Sequence, residues 1–208
     1  MLARRGMRTE DKQKAMAYFE SVSATYDDVV SGGILSLPRR IERKAVLDLC
    51  DIPSRGSRFL DVGCGAGFYS LQAKALGKTV TAVDSSPGMV KSVSTRVDRA
   101  YVTDLESTPF DEQYDLVVCA GVLDFVLDPA RAFLNLAGAV APGGRLVTLG
   151  PRKGLGGLFY RLEKLCFGFR INLFTLKWYE DVAAQAGLRI TRYLKPLPTN
   201  LAICFEKP

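Results

Sequence analysis

The chain has no histidine among its 208 residues. That absence removes the commonest general base at neutral pH and the commonest transition-metal ligand. No run approaches the roughly 18 apolar residues that a spanning helix needs. The start, MLARRGMRTEDKQK, carries basic residues without an apolar core, so no secretory signal is expected. The cysteines are scattered and odd in number: Cys50, Cys64, Cys119, Cys166 and Cys204. Without an export signal they read as reduced thiols of a cytoplasmic protein. An apolar content of 48% excludes general disorder. The length suits one domain, 1–208, with enough chain to bury a sheet and its covering helices.

Charge is unevenly placed. Residues 1–14 hold five basic and two acidic side chains, and residues 15–150 hold 13 and 16. Residues 151–195 hold nine and three, so most of the +6 net charge lies on the N-terminal arm and one later segment. Solvated side chains or attraction to an anionic partner both fit this pattern.

The informative stretch is 58–84, RFLDVGCGAGFYSLQAKALGKTVTAVD. A short apolar run ends in Gly63, Gly65 and Gly67, and a helical period then begins at Phe68. Gly77 stops that helix, and a second apolar run closes on Asp84. Strand, glycine turn, helix and strand with a terminal acid make one right-handed βαβ unit. Bare backbone and unpaired helix N–H groups at the turn suit a ligand, and the terminal acid is placed for a ribose diol. A nicotinamide-dependent reductase would share these features. Its GxGxxG register fails here, because the third position falls on Phe68 or Ser70. Asp61 also suits an amino group better than a pyrophosphate.

DVGCGAG resembles the first motif of the class I S-adenosylmethionine-dependent methyltransferases. Other matches follow in the family's order. Tyr18-Phe19 with Ser-x-x-Tyr26-Asp resembles the opening lid of the ubiquinone/menaquinone-type branch. Asp84-Ser85-Ser86-Pro-x-Met89, Asp104-Leu105, the run YDLVVCAGVL and the turn Pro142-Gly143-Gly144 resemble its later motifs. The resemblance implies an α/β fold with a doubly wound, seven-stranded, mainly parallel sheet whose last strand is antiparallel. An N-terminal arm and helical lid would occupy 1–40, and a substrate cap would be inserted after strand five at 151–176.

It further implies S-adenosyl-L-methionine as cofactor, held by Tyr26, Asp61, Gly63, Cys64, Gly65, Asp84, Ser85, Met89, Asp104, Leu105, Ala120 and Gly121. Asp84 would grip the ribose, Met89 would pack on the adenine, and Asp104 would accept its amino group. Asp124 and Tyr18 are the catalytic candidates, and Phe125, Phe159, Tyr160 and Tyr179 the substrate-pocket candidates. No metal is implied. The partner expected is a small, bulky, apolar acceptor. An RNA- or protein-directed methyltransferase using the basic segments is the alternative. The sequence after the fourth strand lacks the Asn-Pro-Pro-Tyr motif of many RNA enzymes, so no nucleic acid is expected.

Residues 155–170 carry a wide apolar stripe, Leu155, Leu158, Phe159, Leu162, Leu165, Cys166 and Phe169, with Arg161, Lys164 and Arg170 off it. The stripe reads as the inner face of the cap. Contact with an anionic membrane surface is the sharper rival reading.

Overall fold

The apolar runs pair as one seven-stranded sheet in the computed structural model, which describes residues 7–26, 36–107 and 109–208. The strands are β1 (Arg58–Val62), β2 (Thr79–Asp84), β3 (Arg99–Val102), β4 (Tyr114–Ala120), β5 (Val140–Pro151), β6 (Arg189–Leu194) and β7 (Asn200–Glu206). Their order is β3-β2-β1-β4-β5-β7-β6. β1 to β5 run parallel, and β7 is antiparallel to both its neighbours. The order reverses between β1 and β4, and a crevice opens there at the carboxyl ends of the strands. β4 owes its continuous apolar sequence to burial on both faces.

Helix α1 spans Thr9–Val22 and α2 spans Ser36–Cys50. α2 lays Ala45, Val46, Leu49 and Cys50 against Phe59, Leu116, Val118 and Val147 on one sheet face. Ile41 is exposed, and Glu42 is buried. The inward stripe is therefore 42, 45, 46 and 49, which keeps the helical spacing but admits a carboxylate. The glycine turn leads into α3 (Phe68–Ala75), and α4 (Pro87–Val93) follows β2. Ser86 caps α4 by accepting from the Met89 N–H at 3.1 Å. α5 (Pro129–Gly138) and α7 (Leu176–Gln185) cover the other face with Phe133, Leu136, Tyr179 and Val182. Asp128 and Thr175 cap these two helices, each accepting at 3.1 Å.

Two expectations change. The arm 1–14 is helical from Thr9, and α1 is tied down at several points. Asp11 Oδ1 accepts the Arg170 N–H at 3.1 Å, and the Met7 N–H donates to Asn172 Oδ1 at 3.1 Å. Lys12 Nζ donates to Asp104 Oδ2 at 2.7 Å and pairs with Glu106. Glu20 accepts from the Ser86 hydroxyl and from the Gly88 N–H. Long-range charge pairing thus orders a stretch whose composition alone suggested solvent. Ser31-Gly32-Gly33, whose two glycines in sequence read as a hinge, lies outside the described residues.

The second change concerns the cap helix α6 (Leu155–Cys166). Its apolar stripe was expected to face inward, but Leu155, Leu158, Leu162 and Leu165 are exposed. The cavity-facing positions are Phe159, Tyr160, Glu163 and Lys164. Phe169 and Ile171, just beyond, pack with Ala15 in a small core and anchor the segment to α1.

Candidate active site

The carboxyl ends of β1, β2, β4 and β5, with the segment after β3, surround a cavity of about 510 Å³, roofed by α1 and α6. At its cofactor end lie Gly63, Gly65, Asp84, Ser85, Met89, Asp104 and Leu105. Gly63 and Gly65 have φ of 69° and 52°, which side chains rarely adopt. A Cβ on Gly63 would stand 2.1 Å from Val122 Cγ2, and one on Gly65 would stand 3.1 Å from the Tyr26 ring. The turn therefore offers backbone, and Tyr26 closes over it.

Asp84 organises this end. Its Oδ2 accepts the Gly65 N–H and its Oδ1 the Ser86 N–H, each at 3.0 Å. Each oxygen keeps a second lone pair, so two vicinal hydroxyls can still be accepted. Burial raises the Asp84 carboxyl above its ordinary value, and the N–H groups of Ser86, Gly65 and Ser85 oppose that. Burial acts the same way on Asp104, but Lys12 and the Glu106 N–H outweigh it and hold the group low. Asp104 thus enters the cavity already ion-paired, through a lysine of the basic N-terminal arm.

Two expected cofactor residues have other work. Asp61 does not line the cavity; its Oδ2 accepts the Ser70 N–H at 3.0 Å and the Ser70 hydroxyl at 2.6 Å. It thereby satisfies an otherwise unpaired N–H in the first turn of α3 and holds the glycine turn from behind. Burial pushes its carboxyl up to about 6, against the two Ser70 bonds, and the Asp84 charge adds to the rise. Cys64 is likewise off the cavity, with its side chain buried beside Ala82 and Val93. The thiol is pushed up by burial, so it is no nucleophile.

The other end of the cavity is aromatic, with Tyr18, Phe19, Phe125, Phe159, Tyr160, Phe167 and Phe169 in its lining. The Phe19 and Phe125 rings meet edge-on at 5.1 Å. Tyr179 is the exception among the expected pocket residues. Its ring is buried in the core against Phe133, Phe174 and Phe205, because α7 packs on the opposite face of the sheet. Ala120 and Gly121 line the middle of the cavity, with Asp124 just beyond them.

Asp124 sits in a short turn, Leu123–Phe125, directly after β4. Its side chain lines the cavity, yet the residue is only 1% exposed, and Oδ1 has no hydrogen-bond partner among the described residues. Burial pushes the carboxyl up to about 7, partly opposed by Lys164 and Arg39. The Asn172 N–H donates to the Asp124 carbonyl at 3.0 Å, and Asn172 Nδ2 donates to the Val126 carbonyl at 2.7 Å. Asn172 so fixes the turn that aims Asp124. Burial, with the Asp124 charge adding to it, pushes the Tyr160 phenol well above its ordinary value. Tyr160 remains a hydrogen-bond donor.

Sequence reasoning missed a polar group beside these aromatics. Arg39 Nη1 lies 3.2 Å from Glu42 Oε2, and Glu42 also accepts from Asn200 Nδ2. Lys164 Nζ is 3.1 Å from Glu163 Oε1. All five side chains line the cavity. The available signal was the position of Glu42 on the apolar stripe of α2.

Comparison with known proteins agrees with this geometry. Residues 60–148 match the family model described as a methyltransferase domain. Over 102 residues the chain is 32% identical to a ubiquinone biosynthesis O-methyltransferase of Coxiella burnetii, covering 46% of this chain and 44% of that one. The chain thus spans less than half the length of the curated relatives it matches. A magnesium protoporphyrin IX methyltransferase from Synechocystis PCC 6803, solved with bound S-adenosylhomocysteine, superposes with a TM-score of 0.75 at 19% identity, covering 95% of this chain and 100% of that one. An N-methyltransferase from Bradyrhizobium japonicum WM9, also solved with S-adenosyl-l-homocysteine, gives 0.72 at 20% identity, covering 94% and 99%. At such identities the likeness establishes the fold alone. Residues 60–148 thus match a methyltransferase domain, and the chain as a whole shares the fold of the S-adenosylmethionine-dependent methyltransferases.

Proposed function

We propose that the chain transfers a methyl group from S-adenosylmethionine to a hydroxyl oxygen of a bulky, largely apolar small molecule, with Asp124 as general base. The observation that carries this reading is the unpartnered Oδ1 of a buried carboxyl that lines the cavity and is poised near neutrality. A base matched to the working pH is useful only if the acceptor must lose a proton. The name of the Coxiella burnetii relative supports oxygen as the atom methylated, and that of the Synechocystis structure supports a small-molecule acceptor.

The residues present fit the donor. Asp84 has lone pairs left for a ribose diol, the turn at Gly63 and Gly65 offers uncovered backbone, and Met89 and Leu105 supply apolar walls for a flat base. When bound, S-adenosylmethionine supplies an activated methyl on a positive sulfur, with a neutral thioether as leaving group. The protein's share is then positioning, proton removal and dryness. Orientation alone is worth roughly 7–11 kcal/mol in well-aligned systems. Tyr18, Phe125 and Phe159 would wall an acceptor ring, while Tyr160 and the Arg39–Glu42 pair meet its polar substituents. Asp124 accepts the hydroxyl proton as the oxygen–carbon bond forms. α1 keeps water out, held by Lys12 at one end and Glu20 at the other.

The test is a screen of small-molecule extracts with methyl-labelled donor, followed by mass analysis. Label in a methyl ether of a bulky ring compound supports the reading. Label confined to RNA or protein, or to nitrogen or sulfur, contradicts it.

A further inference from the structure

We propose that the outer face of α6 seats the protein on an anionic lipid bilayer, with the mouth of the cavity turned toward the lipid. Leu155 is 90% exposed and Phe159 70%, and Leu158, Leu162, Leu165 and Phe167 are exposed with them. Positions 155, 158, 159, 162, 165 and 166 recur at helical spacing, so these side chains form one strip along the helix. Exposed apolar patches of this extent on a monomer mark contact sites. The strip is continuous with the cavity, because Phe159 and Phe167 belong to both. The strip and the cavity therefore share these two rings at the mouth.

Charge selects the occupant. Outside the cavity lining, residues 152–170 carry Arg152, Lys153, Arg161 and Arg170 and no acid, while the Lys164–Glu163 pair lies within the cavity. α1 begins alongside, through Asp11 to the Arg170 backbone, and Arg8 is exposed there. A second copy docking by the same face would bring two basic surfaces together, as an isologous contact requires. An anionic lipid surface instead neutralises them while its acyl boundary takes up the leucines. α6 is about 18 Å long at 1.5 Å per residue, and no described helix is long and apolar enough to cross a membrane. The helix accordingly lies on the bilayer.

Entry of the acceptor from lipid rests on the proposed acceptor class; docking of the surface does not. The test is co-sedimentation of the full chain with phosphatidylcholine vesicles, with and without phosphatidylglycerol, in the absence of donor and acceptor. The comparison is Leu155→Glu/Leu158→Glu/Leu162→Glu, whose side chains lie outside the cavity lining. Binding that needs phosphatidylglycerol, weakens with salt, and falls at least about tenfold in the triple variant supports docking. Unchanged S-adenosylhomocysteine affinity in that variant certifies its fold, and the single Leu155→Glu serves if the triple does not fold. Absence of vesicle binding by the wild type overturns the proposal. So does vesicle binding unaffected by these substitutions, or a strip that instead mediates a dimer in solution. Failure to methylate any hydroxyl would leave vesicle binding intact, so the two readings fail separately.

Discussion

Replacing Asp124 by asparagine separates the cost of burying a carboxyl in this cavity from the use made of it. The folded group titrates at about 7, against about 3.9 in an unfolded chain. Because the folded value is raised, the folded protein keeps a proton that the unfolded chain has released. The penalty is absent below about pH 4, grows between about 4 and 7, and is complete above, near 4 kcal/mol at 1.36 kcal/mol per unit. Solvent screening does not discount it, since the residue is almost fully buried. Between about pH 5 and pH 8, linkage with these two values gives a loss of about 2.5 kcal/mol for the wild type from this one group. Urea unfolding of both proteins at the two pH values isolates it. Asp124→Asn is expected to gain about 2.5 kcal/mol on the wild type over that interval. The same substitution removes the proton acceptor, so kcat should fall about 10²- to 10⁴-fold, and the rise of activity with pH through about 7 should disappear. Stability curves that stay parallel between the two pH values would refute the reasoning, as would full turnover of the variant.

The remaining predictions concern the turn and the lid. Gly65→Val places a β-branched side chain at φ 52° against the Tyr26 ring. It should lower stability by about 1–3 kcal/mol and abolish S-adenosylhomocysteine binding, read by scanning and titration calorimetry. Normal affinity in that variant would mean that the donor does not approach the turn. Lys12→Met removes the cation between Asp104 and Glu106. With the pair partly screened, a loss of about 1 kcal/mol should speed amide exchange across Thr9–Val22 about fivefold. Unchanged exchange there would show that α1 is held by its other tethers, at Asp11 and Glu20 and through its aromatic contacts, without Lys12.

Much of the sheet was legible because its signals are local. Glycines with positive φ at Gly63, Gly65 and Gly67 mark a turn that few other residues could make. The unbroken run of β4 reports burial on two faces, and Pro87 and Pro129 open helices where a proline costs least. What stayed hidden depends on distant partners. Periodicity reveals that α6 has an apolar stripe but not which neighbour it meets, and most of that stripe faces outward. Tyr179 and Tyr160 look alike in sequence, yet helix placement sends one into the core and the other into the cavity. Lys12 finds its partners 92 and 94 residues away, so composition could only read it as solvated. Asp61 was expected to hold the cofactor, but its bonds to Ser70, visible only once α3 is in place, set it behind the turn.

The central claim is that Asp84 grips the ribose of the methyl donor, and calorimetric titration with S-adenosylhomocysteine tests it most directly. Wild type should bind stoichiometrically. Asp84→Asn keeps the shape of the side chain but loses its charge and replaces one acceptor oxygen by an NH₂, which cannot accept from the Gly65 or Ser86 N–H or from a ribose hydroxyl. Its affinity should fall by at least about 1.5–3 kcal/mol, the range for a hydrogen bond to a charged group, with an unchanged fold by circular dichroism. Wild-type affinity in a folded Asp84→Asn protein would contradict the account.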